Sequence, residues 1–406
     1  VAGVALALAL AVSIGFARLV IRARREVAAA RAEAQRATQK ARELGSYRLI
    51  ECLGKGGMGE VWRAEHRLLA REAAIKLIRQ DEGEMSAEAV ERFRREAQSL
   101  ASLRSRNTIE LFDYGVAEDG TFFYVMELLN GLDLESLVSN FGPQPVGRVV
   151  SLLSQVCRSL AEAHDAGLVH RDVKPANLFV CRVADEFDVV KVLDFGLVRS
   201  VAQDDVPNTS GGAPMKNLLS SPASSGARPL TNAAADGSDP SEEVQDSGQR
   251  QLTRADNVMG TPDFIAPEQA IGGEVDGRAD IYALGCVAFW LLTGNVLFRR
   301  NGVLQLLVAH IHEAPPDVRT MSPRVIPPAL ATLIERCLAK SPDERPTSAR
   351  ELQALLEAIE IPAEEHWSEA LAREWWLEHH AHHVASTSQT VSLDAEVAHL
   401  ALARQG

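Results

Sequence analysis

The stretch that decides the fold is VHRDVKPANLFV, residues 169–180. It places three side chains that carry chemistry, Asp172, Lys174 and Asn177, within six residues, and Pro175 prevents a regular helix from running through them. A carboxylate can accept the proton of a hydroxyl nucleophile, a lysine can stabilise a transferring phosphoryl group, and an amide oxygen can bind Mg²⁺. A polar surface loop is the alternative interpretation, but it does not account for the apolar residues on both sides.

A second chemical residue follows in VVKVLDFG, residues 189–196. The run 189–193, which is apolar except for Lys191, predicts a buried strand, and Asp194 directly follows it. Mg²⁺ is usually held by one or two protein oxygens together with phosphate oxygens. Asn177 and Asp194 are therefore the candidate metal ligands.

Two upstream stretches point to a phosphate-binding site. Residues 53–62, LGKGGMGEVW, place four glycines between predicted strands, where main-chain N–H groups can approach phosphates closely. A simple hairpin turn explains such glycines equally well. Lys76, however, lies in the apolar strand AAIKLI, and a buried lysine needs a partner. Glu96 lies on the apolar face of a predicted helix over 86–103 and supplies one.

The apolar spacing predicts an α+β domain in two lobes. Strand-like runs dominate before residue 134, and helical spacing dominates after it. The predicted strands cover 47–53, 60–65, 72–78, 108–113 and 121–127. Residues 200–250 are rich in Ser, Asp, Gly and Pro, so we expect a disordered insertion there.

The first 21 residues are apolar except for a serine and an arginine, which is the length that a membrane-spanning helix needs. Three arginines follow within 22–25, so the positive-inside rule predicts that the rest of the chain is cytoplasmic. A signal peptide would carry its basic residues before the apolar run. Residues 22–46 are Ala-, Arg- and Glu-rich and predict a helical juxtamembrane linker, with a dimerising coiled coil as the minority interpretation.

The composition indicates which partners, redox compartment and core size to expect. The net charge is -13, which argues against nonspecific binding of nucleic acid. Five cysteines show no paired spacing and are expected to be small core residues in a reducing compartment. The hydrophobic fraction of 46% allows a sizeable core.

The tail, residues 357–406, contains HWSEALAREWWLEHHAHH. Trp367, Leu371 and Trp375 are predicted to share one helical face, so this helix should dock on the domain or on a partner. His379 and His383 have the i, i+4 spacing of metal ligands. A solvated helix end is the simpler interpretation, because no carboxylate or cysteine completes a set.

Taken in order, these motifs resemble the eukaryotic-like (Hanks-type) Ser/Thr protein kinases, most closely the membrane-anchored bacterial branch. The resemblance covers residues 47–356 and includes an Ala-Pro-Glu motif at 266–268 and DIYALG at 280–285. It implies the two-lobed kinase fold, an ATP-dependent transferase that phosphorylates Ser and Thr of proteins, and Mg²⁺ as cofactor, with Mn²⁺ as a substitute. Asp194 and Glu268 lie 74 residues apart, whereas the family usually spans about 20–35. The insertion therefore lies in the activation segment.

The resemblance implies a role for each matched residue. Asp172 would be the catalytic base, assisted by Lys174, and Thr261 would shape the peptide site. Asn177 and Asp194 would hold the metal. The residues expected to bind ATP, with Lys76 oriented by Glu96, are Leu53, Gly54, Lys55, Gly56, Gly57, Met58, Gly59, Val61, Ala74, Lys76, Met126, Glu127, Leu129 and Asp133. The residues expected to be structural are Glu268, Asp280 and Arg345.

The resemblance also implies regulation and a location. Autophosphorylation at Thr253 would be received by Arg171 and Arg199 and would order the activation segment. The expected setting is a bacterial inner membrane, crossed once, with a homodimer phosphorylating in trans. A pseudokinase scaffold and a small-molecule phosphotransferase are the competing hypotheses. The intact Lys76 and Asp172 argue against the former, and the Ala-Pro-Glu motif argues against the latter.

Overall fold

The computed structural model describes residues 43–56, 59–78, 87–117, 120–195 and 262–379. These residues divide into two compact units, one formed by 43–78 with 110–129 and the other by 87–109 with 130–379. Within the described ranges, no helix has the length and apolar content needed to cross a bilayer. The predicted membrane helix 1–21, residues 22–42 of the predicted linker 22–46 and the activation-segment insertion lie outside these ranges. The last four residues of that linker, 43–46, form the strand Glu43–Leu44 and a turn, so the helix predicted there is wrong for these residues.

The first unit is one antiparallel sheet in the strand order β1-β2-β3-β4-β6-β5. Its strands are β1 Glu43–Leu44, β2 Tyr47–Gly56, β3 Gly59–His66, β4 Glu72–Ile78, β5 Leu111–Val116 and β6 Phe122–Met126. Each of these strands except the two-residue β1 overlaps a strand predicted from the sequence. β2 and β3 form the hairpin that carries the glycine-rich loop, with Gly56 opposite Gly59.

Alternation along the strands gives this sheet two different faces. One face carries the buried apolar cluster Tyr47, Leu49, Ala64, Ala73, Ile75, Phe123 and Val125. On β4, Ala73 and Ile75 belong to that cluster, so Ala74 and Lys76 lie on the opposite face. The core thus fixes which way Lys76 is presented, and a register slip of one residue would bury it in the apolar cluster.

The second unit is mainly helical, with a small sheet in the order β7-β8-β9. The strands are β7 Gly131–Asp133, β8 Leu178–Val183 and β9 Glu186–Val192. The helices are α1 Ala87–Ser102, α2 Leu134–Phe141, α3 Val146–Asp165, α4 Pro267–Ala270, α5 Gly277–Thr293, α6 Val303–His312, α7 Val318–Met321, α8 Pro328–Cys337 and α9 Ala349–Glu357, followed by α10 over 369–379. The predicted helix over 86–103 is confirmed as α1.

The core of the second unit forms around α5, which is buried on nearly all sides. A helix that is apolar all round belongs in the interior of a domain. Asp276 caps its start by accepting from the Arg278 N–H, and Gly294 ends it in a left-handed conformation. Four of the five cysteines are buried in this unit as free thiols, as predicted for small core residues. Burial raises the pKa of the Cys337 thiol to about 12.

Two local features of the second unit differ from the sequence prediction. The helical spacing after residue 134 hid the hairpin β8–β9 in part, although the run 189–193 was identified as a strand. Pro175 does not exclude all helical structure, because Pro175–Asn177 form one turn of 3₁₀ helix. Proline is compatible with the first helical position, where its missing N–H costs nothing.

Candidate active site

We call residues 169–177 the catalytic loop, after the roles predicted for them. Its candidate residues Asp172, Lys174 and Asn177 come together around the 3₁₀ turn Pro175–Asn177. The Lys174 ammonium lies 2.9 Å from a carboxylate oxygen of Asp172, and both side chains are mostly buried. The Asn177 amide nitrogen donates to the Asp172 carbonyl at 2.8 Å and to its carboxylate at 3.0 Å. These contacts fix the Asp172 carboxylate from two sides.

Asp194 is delivered next to this loop by β9. The Leu193 N–H donates to the Asn177 carbonyl at 2.9 Å, and the His170 ring nitrogen Nε2 donates to the Leu193 carbonyl at 2.8 Å. Asp194 itself has a φ of +54°, a conformation that favours glycine. Strained backbone of this kind persists only where its neighbours enforce it, and here the residue before it is held on both its N–H and C=O sides.

Phe195 packs against His170, the residue that links Leu193 to Asp172. Its ring is buried, and its centroid lies 4.7 Å from that of His170. The Asp172 N–H donates to Nδ1 of His170, while Nε2 donates to Leu193. Each ring nitrogen therefore has a distinct role, which assigns the neutral imidazole with its proton on Nε2.

A buried carboxylate holds the backbone of the catalytic loop. Asp280 on α5 accepts from the N–H groups of His170 at 2.9 Å and Arg171 at 2.8 Å, and it contacts His164 Nε2 at 2.8 Å. Arg171 has a φ of +63°, so the loop is bent sharply where Asp280 grips it. Gly277 lies close beneath, and an added Cβ there would lie 2.6 Å from the His164 ring.

An ion pair joins the Ala-Pro-Glu segment, residues 266–268, to Arg345, near the end of the range 47–356 that resembles the family. Arg345 donates from Nη1 and Nη2 to the two carboxylate oxygens of Glu268 at 2.7 and 2.8 Å. The Gln269 side chain donates to the Arg171 carbonyl at 3.0 Å, which links this segment to the catalytic loop. Glu268 and Arg345, both predicted to be structural, are thus a buried forked ion pair.

The residues predicted to bind adenine lie on the sheet of the first unit. Val61 is opposite Lys76 across β3 and β4, and Ala74 is opposite Met126 across β4 and β6. Lys76 is only 8% exposed. A Cβ added at Gly54 would meet nothing within 4 Å, so the glycine loop has open space beside it. Leu53 and Lys55 are exposed on β2.

Some of the polar groups after β6 that were predicted to bind ATP already form hydrogen bonds within the protein. The Glu127 N–H donates to the Glu110 carbonyl at 3.0 Å, and the Glu127 carboxylate accepts from the Glu110 N–H. Asp133 caps α2, because its carboxylate accepts from the Ser136 N–H at 2.7 Å and from the Ser136 hydroxyl at 3.0 Å. This capping role of Asp133 was not predicted from the sequence.

Some predicted site residues lie outside the described ranges. They are Gly57, Met58, Arg199, Thr253 and Thr261. Glu96 is half-buried on α1. It directly precedes the buried Ala97 and lies about one helical turn before the buried Leu100. Lys76 and Glu96 belong to different units, and their pairing stays a prediction.

The donor set at the site fits Mg²⁺. The Asn177 amide nitrogen uses both of its N–H groups on Asp172, which leaves the amide oxygen as the atom available to a cation. Asp194 adds a carboxylate, and hard oxygen donors of this kind suit Mg²⁺ or Mn²⁺. Among the described residues, no group of three or more His, Cys, Asp and Glu side chains forms a metal cage. His379 instead stacks on Trp375, with ring centroids 4.7 Å apart, and His383 lies outside the described residues.

The tail prediction needs a correction. A helix does form over 369–379, but Leu371 is 41% exposed, and the buried tryptophan is Trp376. Trp367 precedes the helix instead of sharing a helical face with Trp375. The shared face requires helix from Trp367 onward, whereas the helix begins only at residue 369, after Pro362 and the 3₁₀ turn Ala363–Glu365.

The sequence matches the protein kinase domain family over residues 47–215 and 241–356. The chain belongs to this family. Its two units are the sheet lobe and the helical lobe of the two-lobed protein kinase fold, as predicted. The match leaves out residues 216–240, which lie between Asp194 and Glu268, and the insertion over 200–250 stays a prediction.

Several bacterial proteins are similar to the chain. Serine/threonine-protein kinase pkn3 of Myxococcus xanthus is 36% identical over 316 residues, 77% of this chain and 50% of that protein. Serine/threonine-protein kinase PrkC of Bacillus subtilis is 29% identical over 310 residues, 76% of this chain and 40% of that protein. The chain spans half or less of the length of these two relatives.

The solved structures support the fold. The kinase domain of Mycobacterium tuberculosis PknI superposes with a TM-score of 0.52 at 23% identity. The match covers 78% of this chain and 96% of that domain. At this level of identity the likeness establishes the fold.

Proposed function

We propose that the chain is a serine/threonine protein kinase that transfers the γ-phosphoryl group of ATP to Ser and Thr hydroxyls of proteins. The observation that carries this proposal is the fixed Asp172 carboxylate, held by Lys174 at 2.9 Å and by Asn177 at 3.0 Å. Phosphoryl transfer demands mainly positioning and electrostatic stabilisation, and this loop supplies both. The named kinases among its relatives support the same chemistry.

Each residue of the loop has a distinct part in the transfer. Asp172 would orient the substrate hydroxyl and accept its proton as the hydroxyl oxygen bonds to the γ-phosphorus. The bond from that phosphorus to the β–γ bridging oxygen breaks in the same transfer, and ADP leaves. Lys174 would contribute positive charge toward the transferring phosphoryl group. Because Lys174 already pairs with Asp172, it also holds that carboxylate in a fixed orientation. Substitution of either residue should therefore lower turnover more than substrate binding.

Nucleotide binding would use the sheet of the first unit. Lys76 would pair with the phosphates, and Ala74 with Val61 would contact the adenine ring. The Glu127 N–H is already donated to Glu110, so the Glu127 carbonyl is the group that would accept from the adenine amino group. Mg²⁺ held by Asn177 and Asp194 would neutralise the charge that develops on the phosphates.

Regulation is proposed for the activation segment. A phosphate on Thr253 adds a charge of about -1.5 to -2, which Arg171 and Arg199 would receive. Arg171 directly precedes Asp172, so this pairing would couple the modification to the catalytic loop. Mass spectrometry of autophosphorylated protein tests the site, and an unmodified Thr253 in active enzyme would exclude it.

A membrane location is proposed from residues 1–21, with the kinase domain on the cytoplasmic face of a bacterial inner membrane and substrates phosphorylated there. A homodimer would allow phosphorylation in trans. Fractionation of cells that express the full chain or a form beginning at Glu26 tests the anchor. Full-length protein in the soluble fraction would contradict it.

The activity itself is tested by steady-state kinetics on a generic protein substrate with Mg²⁺ and ATP. We expect Asp172→Asn to lower kcat by about 10³-fold or more with little change in the KM for ATP. Asp165→Asn is the matched control, because Asp165 is exposed and pairs only with Arg350 among the described contacts. Equal rates for Asp172→Asn and Asp165→Asn would refute the proposal.

A further inference from the structure

The chain continues beyond the family match into a segment that packs on the helical lobe. We call residues 363–379 the strap; it comprises the 3₁₀ turn Ala363–Glu365, a short connection and α10. The Glu365 carboxylate is buried and accepts from the Val146 N–H at 2.9 Å, at the first residue of α3. A Cβ at Gly147 would lie 2.6 Å from the Glu365 carbonyl, so the strap and α3 are in close backbone contact.

Two tryptophans of the strap bind the buried Asp188 carboxylate. Trp367 and Trp376 donate from their indole nitrogens to the two carboxylate oxygens of Asp188, at 2.9 and 2.8 Å. Arg148 on α3 donates to the same two oxygens at 2.9 and 2.7 Å. A carboxylate has about four acceptor positions, and two of the four here are filled from the strap.

Arginine packing strengthens this connection. The Arg148 guanidinium is 1% exposed and lies 4.0 Å from the Trp375 ring centroid and 4.7 Å from that of Trp367. A desolvated cation between aromatic rings is strongly stabilised. Without the strap, the Arg148–Asp188 pair would lose two donors and two aromatic faces at once.

The clasped carboxylate belongs to β9, the strand that leads to Asp194. Gln155 on α3 donates to the Asp188 carbonyl at 2.8 Å and accepts from the Val190 N–H at 3.0 Å. Asp188, the third residue of β9, has a φ of +54°, a strained conformation that its contacts must hold. The strap and α3 therefore hold β9 at Asp188, and the metal-ligand candidate Asp194 lies two residues beyond the end of the strand.

We infer that the strap positions β9, and that Trp367 and Trp376 are positioning residues for Asp194. The assignment of Asp194 to the metal rests on the proposed kinase function. The clasping of β9 does not rest on it. Loss of a strap donor should loosen β9 and weaken the productive binding of Mg²⁺ while the domain remains folded.

The test compares Trp376→Phe with Trp290→Phe in the full chain. Both changes remove one indole N–H and the same side-chain volume. Trp290, on α5, has no hydrogen-bond partner for its indole nitrogen among the described residues. Trp367→Phe removes the second strap donor and serves if Trp376→Phe does not fold. Circular dichroism confirms that each variant is folded before it is assayed.

Two readouts follow from the inference. Hydrogen exchange of the amides of Val189 to Val192 should become about tenfold faster in Trp376→Phe, which corresponds to about 1.4 kcal/mol of local opening free energy. The Mg²⁺ concentration for half-maximal transfer should rise about threefold or more, as expected for a coupled position. A purely structural role would lower the amount of active enzyme and leave this concentration unchanged.

The outcomes separate the two proposals. Faster exchange in β9 with a higher Mg²⁺ requirement, absent from Trp290→Phe, supports the positioning role. Unchanged exchange in β9, unchanged Mg²⁺ dependence or the same response in Trp290→Phe overturns it. If the wild-type chain transfers no phosphate, the kinase proposal fails, and the exchange comparison alone decides whether the strap holds β9.

Discussion

Arg345→Met should be among the most damaging single substitutions in the helical lobe. The Arg345 side chain is fully buried, and its two terminal nitrogens each donate to one oxygen of Glu268. The remaining donors reach the carbonyls of Ala339, Arg278 and Lys340 at 2.8, 2.9 and 3.1 Å. The variant would leave a buried carboxylate without its counter-charge and three carbonyls without that donor.

The loss of these contacts sets the expected decrease in the free energy of unfolding. Removing one partner of a buried ion pair costs about 3–5 kcal/mol, out of a total free energy of unfolding of about 5–15 kcal/mol for a typical domain. Urea unfolding followed by circular dichroism measures the loss. Arg350→Met is the control, because the Arg350–Asp165 pair is about two-thirds exposed on both sides and should be worth at most about 1 kcal/mol.

A double variant sharpens the test. Adding Glu268→Gln to Arg345→Met removes the unpaired charge, so the double variant should regain about 2 kcal/mol relative to Arg345→Met alone. If Arg345→Met and Arg350→Met destabilise the protein equally, the buried forked pair does not hold the Ala-Pro-Glu segment and the reasoning is refuted.

Three further predictions concern stability and catalysis. Burial and the Lys340 charge lower the pKa of His310 to about 4. As the pH falls from 6.5 to 4, the unfolded chain therefore binds a proton before the folded protein does, and the free energy of unfolding should fall by about 3 kcal/mol. In pH-dependent urea melts, His310→Gln should flatten this slope. Lys76→Met should lower transfer about 10²-fold or more in the kinetic assay while circular dichroism stays unchanged, and full turnover would exclude a role at the phosphates. Asp280→Asn should cost about 3 kcal/mol in urea melts, because an amide cannot accept from two N–H groups and His164 together; an unchanged midpoint would contradict its role as the loop anchor.

Much of the candidate site follows from local sequence patterns. The catalytic-loop candidates lie within six residues, and the strand before Asp194 shows as an apolar run, so short-range pattern was sufficient to find them. The sheet lobe was equally readable, because strand alternation and glycine positions are local signals.

Other parts depend on contacts between distant residues. Asp188 meets Arg148 across 40 positions and Trp376 across 188, and nothing in the neighbouring sequence marks it as the centre of a network. His164 reaches Asp280 across 116 positions, again without a local signal. The exposure of Leu371 and the burial of Trp376 follow from where α10 begins, and helix boundaries are set partly by tertiary packing.

The central claim is tested most directly by identifying the amino acid that receives the phosphate. Purified full chain is incubated with Mg²⁺ and ATP labelled in its γ-phosphate, and the labelled protein is hydrolysed and analysed for phosphoamino acids. The account predicts labelled phosphoserine and phosphothreonine in the wild type and none in Asp172→Asn. Label on tyrosine alone, or equal labelling of the wild type and Asp172→Asn, would contradict it.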